Sequence, residues 1–323
     1  MGRVSEPRRV PAPARRGRAV RFAAAFSALL GVAAYVTLHD VTGSMGPPRC
    51  VIGSGQNRYE FTPEQASNAA TVAAVGSARG LPERAVTIAL ATALQESALR
   101  NIEHGDRDSL GLFQQRPSQG WGTPEQILDP VYASTKFYEG LEKVPGYSRL
   151  PLTVAAQKVQ RSGFPQAYAK HEPDATLLSA ALTGRAPAAL SCTADATEGR
   201  PGDPARVRDE LVRAFGARSA PKTRPGAESE RAAGAPGSAA GGAPAARVEL
   251  TVPVRETRVP RAERGWALAQ WAVARAEELR IAEVVYGDRR WVADASSGGW
   301  EPVRGGAGTR GTDGSSVRLT LAR

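Results

Sequence analysis

Hydrophobic residues between Phe61 and Gly184 recur at the three-to-four spacing of helices, and no useful length of this stretch alternates with period two. The pattern predicts helices near 63–78, 82–99, 124–128, 130–143, 151–161 and 165–183, the last interrupted at Pro173. Several starts are spelled out. Thr62-Pro63-Glu64-Gln65 and Thr123-Pro124-Glu125-Gln126 each supply a capping threonine, proline at the first helical position and glutamine to complete a capping box. Asp129-Pro130 opens a helix in the same manner. The second helix differs from the rest. Ala85, Val86, Ile88, Ala89, Leu90, Ala91, Ala93 and Leu94 make it apolar nearly all round, which marks a buried central helix. Residues 61–192 are therefore expected to form a mainly α domain.

The flanks behave differently. Residues 1–21 carry seven arginines against one acid, Glu6, and an apolar run follows from Phe22 to Leu38. The length of residues 22–38 is at the lower limit for a transmembrane helix, and the arginines before it put the N-terminus in the cytoplasm with the bulk of the chain outside. No small-x-small site ends the run, so it reads as an uncleaved, single-pass signal anchor in the cell membrane. A secretory signal cut after Ala34 would leave the remainder on the same side. Residues 39–60, with their Gly, Ser and Pro, read as a tether.

Beyond Cys192, the segment 193–216 offers one amphipathic helix at 204–216, carrying Val207, Leu211, Val212 and Phe215. Residues 217–246 are low in complexity, with too little apolar surface to offset chain entropy, and are expected to be a disordered linker. Residues 247–323 then read as a small, separate α+β domain. Val248, Leu250 and Val252 alternate as a strand, and Ala262 to Leu279 reads as a helix carrying Trp266 and Trp271. A hairpin turns at Gly287-Asp288, and Val317, Leu319 and Leu321 supply a last strand. Its tryptophans read as core residues; a face for binding wall or partner is the other reading.

Composition adds one qualification. The 323 residues carry a net charge of +10, which ordinarily points to an anionic partner. Yet lysine occurs only at 136, 143, 158, 170 and 222, and an arginine skew beside abundant Ala, Gly and Pro is what GC-rich coding produces. Nucleic acid is therefore discounted, although a basic protein adheres to an anionic cell wall in any case.

Chemistry concentrates at the end of the central helix. Glu96, followed by Ser97, has an apolar helix behind it and the negative end of the helix dipole around it. Both disfavour the charged carboxylate and raise its pKa toward that of a general acid working near neutral pH. A solvated glutamate at a frayed helix end is the plain alternative. The run ATALQES, a polar loop and then SLGLFQQRPSQGW resemble the catalytic core of the soluble lytic transglycosylases and goose-type lysozymes. Glu96 and Ser97 match the first motif, and Gly111, Leu112, Phe113 and Gln114 match the second, with Phe in place of Met. The wording GDRDSLGLFQQRPSQGWGTPEQI is closer still to a group of exported lysozyme-like proteins of actinobacteria. The resemblance spans roughly residues 61–184.

It implies a lysozyme-like helical fold and peptidoglycan glycan strands as substrate. In this family one glutamate does the work of acid and base, helped by the N-acetyl group and C6 hydroxyl of the substrate. On that resemblance Glu96 is catalytic, Ser97, Gln114 and Gln115 bind the N-acetyl sugar, and Trp121 offers a ring to a sugar face or anchors a packed loop. The family's later Tyr-Asn or Asn-Ala-Gly segment is replaced here by TVAAQKVQRSGFPQAY. Gln157 and Gln160 then stand in its place, and Tyr168 is left to supply the phenol. Such chemistry needs no cofactor. The chain has neither a CxxC pair nor a histidine cluster, so no metal site is expected.

Three functions follow. The first is a membrane-anchored lytic transglycosylase. The second is a lysozyme-type hydrolase, which needs a second acid from Glu103, Asp106 or Asp108, although these also read as turn residues, and His104 reads as surface. The third is a non-catalytic peptidoglycan-binding or scaffold protein, motivated by the altered AAQKVQ segment and the tryptophans of the tail. Cys50 and Cys192 bracket the domain, and in an exported protein they read as a disulfide tying its ends. Without export they would be two unrelated thiols.

Overall fold

In the computed structural model the described chain opens with a hairpin of β1 (Cys50–Ser54) and β2 (Asn57–Phe61). The described residues are 48–55, 57–161, 166–193, 201–225, 248–293, 299–303 and 311–323. Gly53 sits in the left-handed region at φ 81°, and a Cβ there would lie 2.0 Å from the Asn57 carbonyl oxygen, so only glycine closes this turn. About half of these residues are helical, with nine α-helices and two antiparallel sheets among them. The basic tail and the apolar run 22–38 lie outside them. Among the described residues no helix is long and apolar enough to cross a membrane.

Helices follow where the caps placed them: α1 (Pro63–Ala78), α2 (Glu83–Ser97), α3 (Pro124–Ile127), α4 (Pro130–Glu142), α5 (Leu152–Gln160) and α6 (Glu172–Leu182). The Thr62 hydroxyl accepts from the Gln65 amide at 3.3 Å, and the Gln65 side chain accepts from the Thr62 N–H at 2.8 Å. Thr123 and Gln126 form the same reciprocal pair. One boundary differs from expectation. Pro173 opens α6 after a 3-10 turn at Ala169–His171, because a residue without an N–H is harmless in a first turn.

Helix α2 is central, with every residue from Ala85 to Leu94 buried and α1, α4, α5 and α6 packed around it. Helix α1 is nearly as enclosed, because its alanines let neighbours approach closely. The Tyr138 ring lies directly over Gly76, its hydroxyl donating to the Val72 carbonyl at 3.0 Å.

The expected tether is corrected. Residues 50–61 are the β1–β2 hairpin, and β3 (Leu190–Cys192) pairs with β1 in a three-stranded sheet of order β2-β1-β3. Cys50 stands opposite Cys192 in that register, and the two form a disulfide. The helices between them are thus closed into a covalent loop. On the chain-entropy account a loop this long is stabilising by about 4–5 kcal/mol.

The expected linker is corrected over residues 217–225, the rest of it lying outside the described residues, and the separate tail domain is corrected as well. Helix α7 (Pro204–Phe215) buries Val207, Leu211, Ala214 and Phe215 and packs on α1. Residues Lys222–Pro225 form β4, the edge of a second sheet; positions 226–247 lie outside the described residues. The sheet continues with β5 (Val248–Pro253), β6 (Ile281–Tyr286), β7 (Arg289–Val292), β8 (Glu301–Pro302) and β9 (Ser316–Leu321), in the order β4-β5-β9-β6-β7-β8. Helices α8 (Arg261–Ala274) and α9 (Ala276–Leu279) come between β5 and β6. Helix α8 packs against β6 and β9 and also against α1, α6 and β3.

The C-terminal portion is therefore fused to the helices, and residues 48–323 form one compact unit. Gln270 is its joint. Its fully buried amide accepts from the Ala189 and Leu190 N–H groups, both at 2.9 Å, and donates to the Ala181 and Ala186 carbonyls at 2.7 and 3.0 Å. At the far end of α8, Arg275 bridges to Glu210 of α7 at 2.6 Å and to Glu278 at 2.8 Å, and Ser67 of α1 donates to Glu278. Trp266, Trp271 and Trp291 are core residues.

Candidate active site

Glu96 is the last residue but one of α2, and the helix ends there for a visible reason. Ala98 and Leu99 both turn into the left-handed region, at φ 52° and 58°, which costs on the order of 1 kcal/mol each for a residue with a side chain. Side chains of α1 secure the turn. Gln65 donates to the Ala98 carbonyl and Asn68 to the Leu99 carbonyl, each at 2.8 Å, satisfying carbonyls released at the helix end. Fully buried Leu99 anchors the reversal.

Ser97 faces the other way. Its buried hydroxyl donates to the Leu112 carbonyl at 2.8 Å, with the Ala93 carbonyl 3.1 Å away. It ties α2 to the GLFQQ segment and is not available to a sugar, which corrects its expected binding role. Gly111, at φ 72°, packs where a Cβ would lie 2.7 Å from the Ile127 carbonyl oxygen. A single bridge pairs Leu110 with Gln115. Phe113 is buried and stacks on Phe137 with ring centroids 4.7 Å apart.

Two side chains converge on the Glu96 carboxyl. The hydroxyl of fully buried Tyr168 donates to Oε1 at 2.7 Å. The Gln160 amide is also bonded to the carboxyl, while its Nε2 donates to the Phe113 carbonyl at 2.7 Å. Burial raises the Glu96 pKa above the ordinary carboxylate value, and the bonds from Tyr168 and Gln160 lower it by less. The net direction is upward. A carboxyl in this state keeps its proton at higher pH than a solvated one and can deliver it to a leaving oxygen.

The remaining expected residues divide. Gln157 lies three positions before Gln160 on α5, half-buried and on the same face. Gln114, half-buried at φ 48°, donates to the Gly111 carbonyl at 3.2 Å and packs over Gly105. Gln115 is buried with its amide on the Ala133 carbonyl at 3.1 Å, so it braces α4 and does not reach a substrate, which corrects that assignment. Half-buried Trp121 is held through its carbonyl by the Tyr132 hydroxyl at 3.2 Å, with its ring beside Gly140.

The acidic loop looks different in three dimensions. Asp108 takes Arg116 on one oxygen and the Ser118 N–H on the other, both at 2.8 Å, and these contacts hold its carboxyl well below the usual range. Glu103, His104 and Asp106 are exposed. Among the described residues no group of His, Cys, Asp or Glu is placed to hold a metal ion. One neighbour escaped the sequence reading. Half-buried His171 is 3.2 Å from Gln95 through its Nε2, and burial lowers its pKa, favouring the neutral ring beside the catalytic candidate. No local signal announces it, since 76 residues separate the pair.

Residues 248–312 match the family model described as VldE, C-terminal domain. The match begins at β5 and stops before β9, the strand that completes the sheet between β5 and β6. No curated protein matches the chain.

Proposed function

We propose that this protein is a peptidoglycan lytic transglycosylase, held at the outer face of the cell membrane by its N-terminal segment and working with Glu96 as sole acid and base. The observation that carries the reading is the half-buried Glu96 carboxyl, its pKa raised by burial, at the end of an enclosed helix beside the GLFQQ segment. In the reaction the Glu96 proton passes to the glycosidic oxygen as the C1–O bond breaks. The N-acetyl carbonyl oxygen of the substrate stabilises C1 from the opposite side. The Glu96 carboxylate then takes the C6 hydroxyl proton while O6 bonds to C1, leaving a 1,6-anhydro sugar and a re-protonated Glu96. Tyr168 supports the charged intermediate state of the carboxyl through its 2.7 Å bond. Gln160, Gln157 and Gln114 supply amides for the N-acetyl sugar, and Trp121 supplies a ring.

A two-carboxylate hydrolase is less well supported, because Asp108 is committed to Arg116 and Ser118. Mass analysis of murein digested by the purified protein separates the readings. The lyase releases products one water lighter than hydrolysis gives. Undiminished release by Glu96→Gln, or binding to sacculi with no turnover by either form, would overturn the proposal.

A further inference from the structure

A hollow lined by none of the residues around Glu96 lies between the β1–β2 hairpin and the C-terminal sheet. Its volume is about 730 Å³, within the range of small-molecule sites. Three arginines from separate segments line it: Arg49 just before β1, Arg58 on β2 and Arg289 on β7, with Asp288 as the single acid among the lining residues. Arg58 is paired with Glu60 at 2.5 Å, while Arg289 reaches Asp288 only at 3.8 Å. Arg49 has no ion pair among the described residues. The hollow therefore carries an excess of positive charge that its own walls do not neutralise.

Its floor is aromatic and fixed. Trp266 and Trp300 both line it and meet edge to face with centroids 5.1 Å apart. The Trp300 indole donates to the Leu190 carbonyl at 2.8 Å, and Tyr286 packs edge-on against Trp266 at 5.3 Å. The backbone that carries Arg49 is held as well. The Arg49 N–H donates to the Thr193 hydroxyl and the Thr193 N–H to the Arg49 carbonyl, each at 2.8 Å, next to the Cys50–Cys192 disulfide. Guanidinium groups recognise carboxylate or phosphate through paired hydrogen bonds, and a locked indole presents a flat apolar face of the kind a sugar ring stacks on.

We propose that this hollow is a binding site for a sugar bearing a carboxylate or phosphate, distinct from the Glu96 site and independent of its activity. Arg49 and Arg289 bind the anion, and half-buried Trp300, backed by core Trp266, takes the ring. The experiment is calorimetric titration of the purified protein with three probes: oligogalacturonate, glucose 1-phosphate and neutral cellobiose. At least one charged probe should bind tenfold or more tightly than cellobiose, and which of the two does so identifies the anion. The double change Arg49→Ala and Arg289→Ala should weaken that binding at least tenfold, while Glu96→Gln leaves it unchanged. Should the double variant fail to fold, Arg49→Ala alone, at an exposed position, must still weaken it. Equal affinity for cellobiose, no binding of either charged probe, or undiminished binding in the arginine variants would overturn the proposal. None of these outcomes bears on murein turnover, so this site and the Glu96 site stand or fall separately.

Discussion

The Tyr168 hydroxyl lies 2.7 Å from a Glu96 carboxylate oxygen, although 72 residues separate the two in the chain. The bond favours the ionised carboxyl, whereas the surrounding burial favours the protonated one, and burial prevails. Two opposing influences on one proton give the site an adjustable working range.

Removing the phenol should move that range. Tyr168→Phe deletes the donor and leaves burial less opposed, so the Glu96 pKa rises further. The alkaline limb of the pH–activity profile is expected to shift to higher pH, with the same single-acid profile retained. A limb that stays put or moves to lower pH would show that the hydroxyl does not act on Glu96.

Glu96 should also cost the fold stability in alkaline solution. Its folded pKa lies above the unfolded value because of burial, so the protonated carboxyl contributes fully below the unfolded carboxylate range. That contribution is lost as pH rises through the folded value. Glu96→Gln cannot ionise. Its melting temperature should match the wild type below about pH 4 and exceed it near pH 8. Its activity should fall by about 10²-fold or more, the usual worth of a general acid.

Gln270 gives a test of the fused architecture. Gln270→Leu would leave the Ala189 and Leu190 N–H groups and the Ala186 carbonyl without this partner, while the Ala181 carbonyl keeps the Gly184 N–H. Each unsatisfied group costs about 1–3 kcal/mol, so a loss of about 3 kcal/mol or more is expected in urea denaturation. Were 247–323 a freestanding domain, the change would be nearly silent.

Ser97→Ala should separate tethering from sugar binding. Loss of the buried bond to Leu112 is expected to cost about 1–2 kcal/mol of stability and to lower kcat by loosening the GLFQQ segment. If Ser97 instead bound the sugar directly, KM would rise with stability unchanged.

The helices were readable because their signals are local: the Thr-Pro-Glu-Gln caps, Asp129-Pro130 and the apolar wrap of α2 all lie within a few residues of what they specify. The hairpin at 50–61 was not, since its strands are short and its third partner, β3, lies 142 residues away across the disulfide. Strand β4 reads Lys-Thr-Arg-Pro and is joined to β5 through backbone pairing, which leaves no hydrophobic trace. The fusion of the two portions did leave one. Gly265 to Ala274 of α8 is buried throughout, as Ala85 to Leu94 of α2 is, and GWALAQWAVA could have been read as a helix enclosed on every side. At the site, Glu96 followed from its helix and motif. Which of Gln114 and Gln115 turns inward depends on the Leu110–Gln115 bridge, a feature of backbone register that composition cannot convey.

Cys50 and Cys192 face each other across adjacent strands, so the chain enters and leaves the helical domain at one point. A pull applied between the strand at Cys50 and the strand at Cys192 therefore travels through the sulfur–sulfur link and bypasses the helices enclosed between them. Tension between those two strands would leave the carboxyl at the tip of α2 mechanically unloaded.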